Sequence, residues 1–325
     1  MHRRPTHPPK LRQALPAAIL ALVLLGSSAA PTFRKTTALP EDDVTRRTFD
    51  VRGPGRFHLD AHRGTVEVVV GDRQTVEVEV VRSPRRGRPL DDYTLSFEQQ
   101  GNDVYVWGRF ADRERYAGDG GNAYRVRYRI VLPRRFDAAI TTAQGDVKVG
   151  DLDGELVVRN AAASVELGQI GGNVVVETSA GSIALAGAGG NAHLTTSAGS
   201  IRAGRVEGDL NARGSAGNIE VEGVGGTLSV STTAGNVEAT LLRAPHRATR
   251  LETSAGNIIL RVPRGAGLVV DAAAQGGLVE IDLPRGSGGY ARAPRGNAVH
   301  QTVGNGGPTI TLRTTQGNIA VRQAS

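Results

Sequence analysis

The sequence has no cysteine and few aromatic residues. Without cysteine the chain can form no disulfide bond, and it cannot be anchored through a lipid on an N-terminal cysteine. Of the 13 Phe, Trp and Tyr residues, 12 precede residue 137 and only Tyr290 follows it. A core that lacks aromatic side chains must be built from Val, Leu, Ile and Ala. This change in composition predicts a domain boundary near residue 137.

Long apolar runs are also scarce, and the one that occurs lies near the N-terminus. Residues 14–25 are apolar, four basic residues precede them, and the small residues 26–30 follow. This order is typical of a cleaved signal peptide, residues 1–30, so we expect export to the periplasm, the outer surface or the medium. The alternative is an uncleaved membrane anchor, although the run is short for a span of about 20 residues.

The positive charge of the chain is concentrated in that signal segment. The formal net charge of +7 falls to +3 when the four basic residues of 1–30 are removed, because the segment has no acidic residue. A mature charge this small, on an exported protein, argues against a nucleic-acid partner.

The segment between the signal peptide and residue 137 divides into a linker and a β-rich region. Residues 31–47 are polar and contain proline, which is typical of a linker. In residues 48–136 apolar and polar residues alternate, which predicts antiparallel strands with one solvated face. The runs 65–70 and 75–80 flank Gly71-Asp72-Arg73-Gln74 and predict a hairpin. We expect this region to cap one end of the domain that follows.

Residues 137–325 contain a repeat of 18 residues. Two series of glycines recur nine residues out of phase, and apolar columns such as Ile183, Ile201 and Ile219 recur with them. The first glycine series is Gly145, Gly181, Gly199, Gly217 and Gly235, and the second is Gly154, Gly172, Gly190, Gly208 and Gly226.

Each repeat holds two short segments in which every second residue is apolar, with glycines at the corners between them. Residues two apart share one face of a strand, so a single coil cannot bury its apolar side, whereas stacked coils bury a continuous core. A period of 18 also equals five turns of helix, but the glycines and β-branched residues disfavour helix. The repeat predicts an all-β fold, a right-handed parallel β-solenoid of 18-residue coils, with 241–250 and 284–305 as loops.

Short segments of the repeat resemble a known family. Thr178–Ile183, Thr196–Ile201 and Thr253–Ile258 share the pattern T-S-A-G-[SN]-[IV], and Val131-Leu132-Pro133 is followed by Thr141-Thr142-Ala143-Gln144-Gly145. These segments are similar to the bacterial β-strand-repeat family called the putative adhesin domain, domain of unknown function 4097, from about Phe49 to the end. The resemblance implies a β-strand-repeat fold and an adhesive or envelope role, and it carries over no catalytic residue.

No complete catalytic, cofactor or metal motif occurs in the sequence. The calcium-binding nonapeptide pattern needs aspartate at its sixth position, where the segment Gly171–Val176 has valine. Glu220, Glu222 and Glu238 form the densest acidic group, so the alternative function is a carbohydrate-active enzyme, a lyase or hydrolase, on a β-helix scaffold. The leading hypothesis is a non-catalytic binding or structural protein that needs no cofactor.

Hydroxyl side chains form two neighbouring columns, which are the candidate site residues. The first column contains Thr178, Thr196 and Thr232, and the second contains Ser179, Ser197 and Ser215. Small hydroxyl residues beside a tight turn commonly bond backbone groups. The alternative is an exposed array that binds an ordered ligand, with a glycan or an envelope protein as the expected partner.

Overall fold

The computed structural model describes residues 42–84, 93–111, 124–283 and 295–324. The predicted signal peptide, residues 31–41 of the predicted linker and residues 284–294 of the second predicted loop lie outside these ranges. Every regular element in the described ranges is a β-strand, and they contain no helix long and apolar enough to cross a membrane.

The strands of the described chain form two long sheets. In chain order they are β1 (Asp43–Asp50), β2 (Arg56–Ala61), β3 (Thr65–Gly71), β4 (Thr75–Pro84), β5 (Tyr93–Gln100), β6 (Asp103–Phe110), β7 (Tyr124–Pro133), β8 (Asp137–Gln144), β9 (Val147–Val149), β10 (Leu156–Ala162), β11 (Val165–Ile170), β12 (Val174–Ala180), β13 (Ile183–Ala188), β14 (Ala192–Ala198), β15 (Ile201–Val206), β16 (Leu210–Ala216), β17 (Ile219–Val224), β18 (Leu228–Ala234), β19 (Val237–Leu241), β20 (Thr249–Ala255), β21 (Ile258–Val262), β22 (Leu268–Ala274), β23 (Val279–Asp282), β24 (Arg295–Gly296), β25 (Ala298–Val303), β26 (Thr309–Gln316) and β27 (Ile319–Gln323). Sheet A has the order β1-β4-β7-β3-β9-β11-β13-β15-β17-β19-β21-β27-β23-β24. Sheet B has the order β25-β22-β26-β20-β18-β16-β14-β12-β10-β8-β2-β6-β5.

The repeats stack in parallel from β8 to β21, with one strand of each coil in each sheet, and a register shift occurs between β17 and β19. Val165 pairs with Ile183, Ile183 with Ile201, and Ile201 with Ile219, each 18 residues apart. These side chains are at most 1% exposed, and burial of each contributes about 2 kcal/mol. The predicted parallel β-solenoid is confirmed. The loop predicted at 241–250 is present as residues 242–248, whereas residues 295–296 and 298–303 of the loop predicted at 284–305 form strands.

The N-terminal strands continue both sheets. β2 and β3 pair in parallel with β8 and β9, and β6 and β7 pair in parallel with β2 and β3. Antiparallel pairing occurs between β1 and β4, between β4 and β7, and between β5 and β6. β1 begins at Asp43, inside the segment predicted as a linker.

The hairpin predicted around Gly71–Gln74 is wrong. β3 and β4 flank this turn, but β7 lies between them in sheet A. β7 forms seven residue pairs with β3 and eight with β4, so its insertion satisfies the backbone groups of both strands.

At the C-terminal end the spatial order of the coils differs from their order in the chain. The last coil, β26 and β27, lies between the coil β20–β21 and the coil β22–β23. It pairs with both neighbours, as Thr253 with Thr314 and Val270 with Ile310 show. Antiparallel β25 and β24 then cover the outer edges of β22 and β23. After β21 the chain forms the more distant coil, β22–β23, and only later forms β26–β27, which lie between that coil and β20–β21.

Glycines allow the coils to approach closely at their corners. Gly199 has a φ of +135°, and a Cβ atom there would lie 2.3 Å from the carbonyl oxygen of Gly181 in the preceding coil. Gly226, in the second series, lies outside the left-handed region, but its Cβ atom would lie 2.7 Å from the carbonyl oxygen of Gly208. The first corner needs glycine for both conformation and space, whereas the second needs it for space alone.

Amide and carboxylate side chains form ladders beside these glycines. The Oδ1 of Asn236 accepts a hydrogen bond from the backbone N–H of Asn257 at 2.9 Å, and that of Asn257 accepts one from Asn318 at 2.8 Å. At the other corner, Asn173 accepts from the N–H of Asn191 at 2.9 Å. Each such bond satisfies a backbone donor that turns away from the sheets, and contributes about 1 kcal/mol.

Two buried tyrosines fill the core of the N-terminal coils. The hydroxyls of Tyr93 and Tyr128 hydrogen-bond each other, and Tyr93 also donates to the carbonyl of Arg63 at 3.1 Å. A Cβ atom at Gly108 would overlap both hydroxyls, which explains the glycine there. Burial raises the pKa of Tyr93 to about 12 and the pKa of Tyr128 well above its usual value, so both remain neutral.

Candidate functional site on sheet B

The outward side chains of β6, β2, β8, β10, β12, β14 and β16 form a continuous and mostly polar surface, which we call the sheet B face. Outward and inward residues alternate along each strand. The strand pairing aligns one central column across this face, namely Trp107, Asp60, Thr141, Arg159, Glu177, Thr195 and Arg213. At a spacing of about 4.8 Å per strand, the column is about 29 Å long.

The predicted threonine column lies on the inward side of the sheet B strands and not among the outward side chains that define this face. Thr178, Thr196 and Thr232 are 2–7% exposed. Their hydroxyls donate to the carbonyls of Ala163, Gly181 and Gly217 in the preceding coil, at 3.4, 2.9 and 3.4 Å. The suggestion that these threonines belong to a surface array is therefore corrected, because they stand on the same side of each strand as the apolar core residues.

The serine column does lie on the surface. Ser179, Ser197 and Ser215 are exposed beside a second exposed column of alanines, which pair from coil to coil. Ser179 and Ser197 form part of the floor of a groove of about 860 Å³ across the sheet B face, together with Ala143 and Ala161. Side chains this small leave the floor shallow and open to a ligand that lies flat. Whether the serines bind a ligand remains a prediction.

Charged side chains line this groove unevenly. Arg109 pairs with Asp60 at 2.5 Å, and Arg159 pairs with Glu177 at 3.2 Å. Arg213, at the far end of the central column, is exposed and has no ion pair with another described residue. The groove therefore presents two neutralised pairs and one available guanidinium.

A stack of three rings lies at the opposite end of the sheet B face. The rings of His58 and Tyr105 are 4.6 Å apart and nearly parallel, and those of Tyr105 and Trp107 are 5.8 Å apart and nearly parallel. Burial, with the nearby charge of Arg56, lowers the pKa of His58, so this ring is neutral at pH 7. All three rings are partly exposed, unlike Phe57 and Tyr128 in the core.

The ring stack was not predicted from the sequence. His58 alternates with the buried Phe57 and Leu59, and Tyr105 alternates with the buried Val104 and Val106. This alternation in the sequence predicts that both rings point outward. The missing information was the parallel pairing of β2 with β6, strands 47 residues apart in the chain.

A family profile for the Toastrack domain, DUF4097, matches residues 56–322. The match spans the N-terminal coils, the solenoid and the last coil, which is most of the chain. The chain belongs to the Toastrack DUF4097 family. The resemblance carried by the T-S-A-G segments is thereby confirmed. A comparison of this Toastrack protein with curated proteins found no match.

Several solved structures are similar to this Toastrack protein over nearly its whole length, at low identity. A "putative adhesin" from Bacteroides fragilis is 10% identical with a TM-score of 0.34, and the match covers 88% of this chain and 99% of the other. A "putative lipid binding protein" from Parabacteroides distasonis is 11% identical with a TM-score of 0.35, covering 87% and 97%. A "putative cell adhesion protein" from Clostridium sporogenes is 10% identical with a TM-score of 0.22, covering 87% and 100%. No ligand or activity is transferred from these proteins.

The densest acidic group of this Toastrack protein, Glu220, Glu222 and Glu238, lies on sheet A, and two of its three glutamates form ion pairs with arginines. Glu220 pairs with Arg202 at 2.7 Å, and Glu238 pairs with Arg261 at 2.5 Å. The bond to Glu220 raises the pKa of Arg202. Within the described ranges no three His, Asp or Glu side chains lie close enough together to hold a metal ion. These pairings favour a structural role for both glutamates.

Proposed function

We propose that this Toastrack protein is exported and binds a component of the cell envelope on the sheet B face, without catalysing a reaction. The observation that carries the proposal is the groove of about 860 Å³, whose small-residue floor and charged walls extend over several coils. Ligand sites typically have volumes of about 300–1,000 Å³. The expectation of export rests on the order of basic, apolar and small residues in 1–30.

A rigid scaffold of this kind suits binding to an extended partner. The coils are held by backbone ladders and corner hydrogen bonds, so the outward side chains keep a fixed spacing before any ligand arrives. Binding then requires little ordering of the protein, which lowers its entropic cost. The pairing of Glu220 and Glu238 with arginines gives the alternative of a carbohydrate-active enzyme no support at those residues.

The proposal is tested by blocking the groove. Ser197→Trp places a bulky ring on the exposed floor, and Ala184→Trp places the same ring on the outward side of sheet A. The wild-type protein is recovered from the envelope or medium fraction, and each form is measured for binding to immobilised envelope polysaccharide, lipid and protein fractions. We expect Ser197→Trp to lose binding and Ala184→Trp to retain it.

Three results of that experiment would contradict the proposal. They are retention of the wild-type protein in the cytoplasm, binding that both variants preserve, and turnover of any polysaccharide fraction by the purified protein. Circular dichroism of both variants checks that the solenoid is intact.

A further inference from the structure

Resting on the proposed function, we infer that the ligand of the sheet B face is an anionic glycan. One sugar ring would stack beside Trp107, the chain would cross the coils over Ser179 and Ser197, and a negatively charged substituent would meet Arg213. The proposal joins the two ends of the central column, which the strand pairing places about six strand spacings, or about 29 Å, apart.

Trp107 has an open hollow beside it. The hollow has a volume of about 310 Å³ and is lined by Thr94, Ser96, Trp107 and Arg109. An aromatic ring next to hydroxyls and a guanidinium matches a sugar, which has an apolar C–H face and a rim of hydroxyl groups. Arg109 also lines the large groove, so the hollow and the groove adjoin at this residue.

Arg213 supplies the selectivity for negative charge. Arg109 and Arg159 already have carboxylate partners, whereas Arg213 has no ion pair with a described residue. The five charged side chains of the groove wall therefore sum to one positive charge, located at Arg213. A guanidinium binds carboxylate, sulfate or phosphate with paired N–H donors, so an anionic group on the glycan would find its partner there.

A peptide fits this face less well than a glycan. The backbone groups of these strands are engaged by the coils on either side, so a peptide could not add to the sheet as an extra strand. Protein interfaces also depend on large apolar or aromatic anchors that enter pockets. Among the described residues that line the groove, none is aliphatic beyond alanine. Side-chain hydroxyls and guanidinium groups suit a hydroxyl-rich chain.

The test uses hexagalacturonate as the anionic probe and cellohexaose as the neutral one, measured by calorimetry against the mature full-length chain. We expect hexagalacturonate to bind more tightly and to weaken as salt is added, because Arg213 is exposed. Trp107→Ala should weaken its binding about tenfold. Arg213→Gln should weaken it about fivefold and reduce the preference over cellohexaose.

Two matched variants separate this site from general effects of charge and apolar surface. Arg322→Gln removes an exposed arginine of sheet A that has no ion pair with a described residue, and Leu278→Ala removes an exposed apolar side chain at a turn. Both should bind hexagalacturonate as the wild type does. Equal binding by Trp107→Ala and Arg213→Gln would overturn the inference. Binding of an envelope protein or lipid fraction, blocked by Ser197→Trp without binding of either hexamer, would also overturn it while leaving the proposed function standing.

Discussion

At the scale of single residues, the inward hydroxyl column fixes one corner of most coils. Thr196 donates to the carbonyl of Gly181 at 2.9 Å, and Thr314 donates to that of Gly256 at 2.9 Å. Asn160 occupies the same position in an earlier coil and donates from its amide to Gly145 at 3.0 Å. Gly214 pairs with Thr196 in this column but has no side chain, so its coil lacks the bond.

Gly214→Thr should therefore stabilise the protein. A Cβ atom at this position would lie 3.3 Å from the Oγ1 of Thr232 and 3.6 Å from Ile219, so there is room for it after a small adjustment. The new hydroxyl would reach the carbonyl of Gly199, and loss of glycine would also restrict the unfolded chain. We expect the free energy of unfolding to rise by about 1 kcal/mol, measured by urea denaturation.

Two further variants separate the causes of the expected rise in the free energy of unfolding. Gly214→Ala should give a smaller increase, because it restricts the unfolded chain without adding a hydrogen bond. Thr314→Val should lower stability by about 1 kcal/mol, since it removes the hydrogen bond from a buried hydroxyl to the carbonyl of Gly256. A loss of stability in Gly214→Thr would show that the contact with Thr232 cannot relax.

At the scale of the coil, the last two strands, β26 and β27, should be essential for stability because they lie between two other coils. Ending the chain at Gly307 removes β26 and β27, and it leaves β20 and β21 on one side and β22 and β23 on the other without their shared neighbour. The removed strands bury Ile310, Leu312, Ile319 and Val321. Their burial contributes roughly 8 kcal/mol as an upper value, so the truncated chain should melt far below the wild type in calorimetry.

A chain ending at Gln323 is the matched control, since it removes only residues beyond the last strand. It should melt within about 2 °C of the wild type. If the chain that ends at Gly307 also melted there, the intercalated coil would not hold its neighbours together.

The repeat predicts each coil but not the order of the coils at the ends. Glycine and apolar columns identify Ile183, Ile201 and Ile219 as equivalent, and the pairing confirms that they stack. The residues at equivalent positions in β22 and β26 do not indicate which of the two strands pairs with β20, because either strand would bury the same kind of side chain. The order depends on the long connection between β23 and β26, and on antiparallel strands with no repeat of their own.

The candidate site was predictable to the same limited extent. The serine column follows from the repeat and does lie on the surface. The sequence also predicts that the Thr178 side chain points inward, because Thr178 lies two residues after Val176 and four after Val174, on the same side of the strand. The groove and the ring stack were not predictable, because the groove combines strands of the irregular N-terminal coils with those of the repeat, and the ring stack depends on the pairing of β2 with β6.

At the scale of the whole molecule, antiparallel strands cover both ends of the parallel stack. β4 and β5 cover one end, in sheet A and sheet B respectively, and β1 lies outside β4. β24 and β25 cover the other end. An open end of a solenoid presents rows of unpaired N–H and C=O groups to which another copy could pair. We expect the strands at the two ends to hinder neighbouring molecules from joining end to end.

Removing the N-terminal strands should expose such an end. A chain that begins at Asp137 keeps every coil from β8 onward, but it loses β2 and β3, which cover the first edges of β8 and β9. We expect this chain to form aggregates or end-to-end assemblies at micromolar concentration, measured by light scattering during gel filtration, while residues 42–325 stay monomeric. Adding charge at the new edge, with Ala139→Lys and Thr141→Lys on the outward side of β8, should restore solubility if pairing between edges is the cause. A shortened chain that is monomeric without those changes would mean that the N-terminal strands serve a purpose other than covering the end.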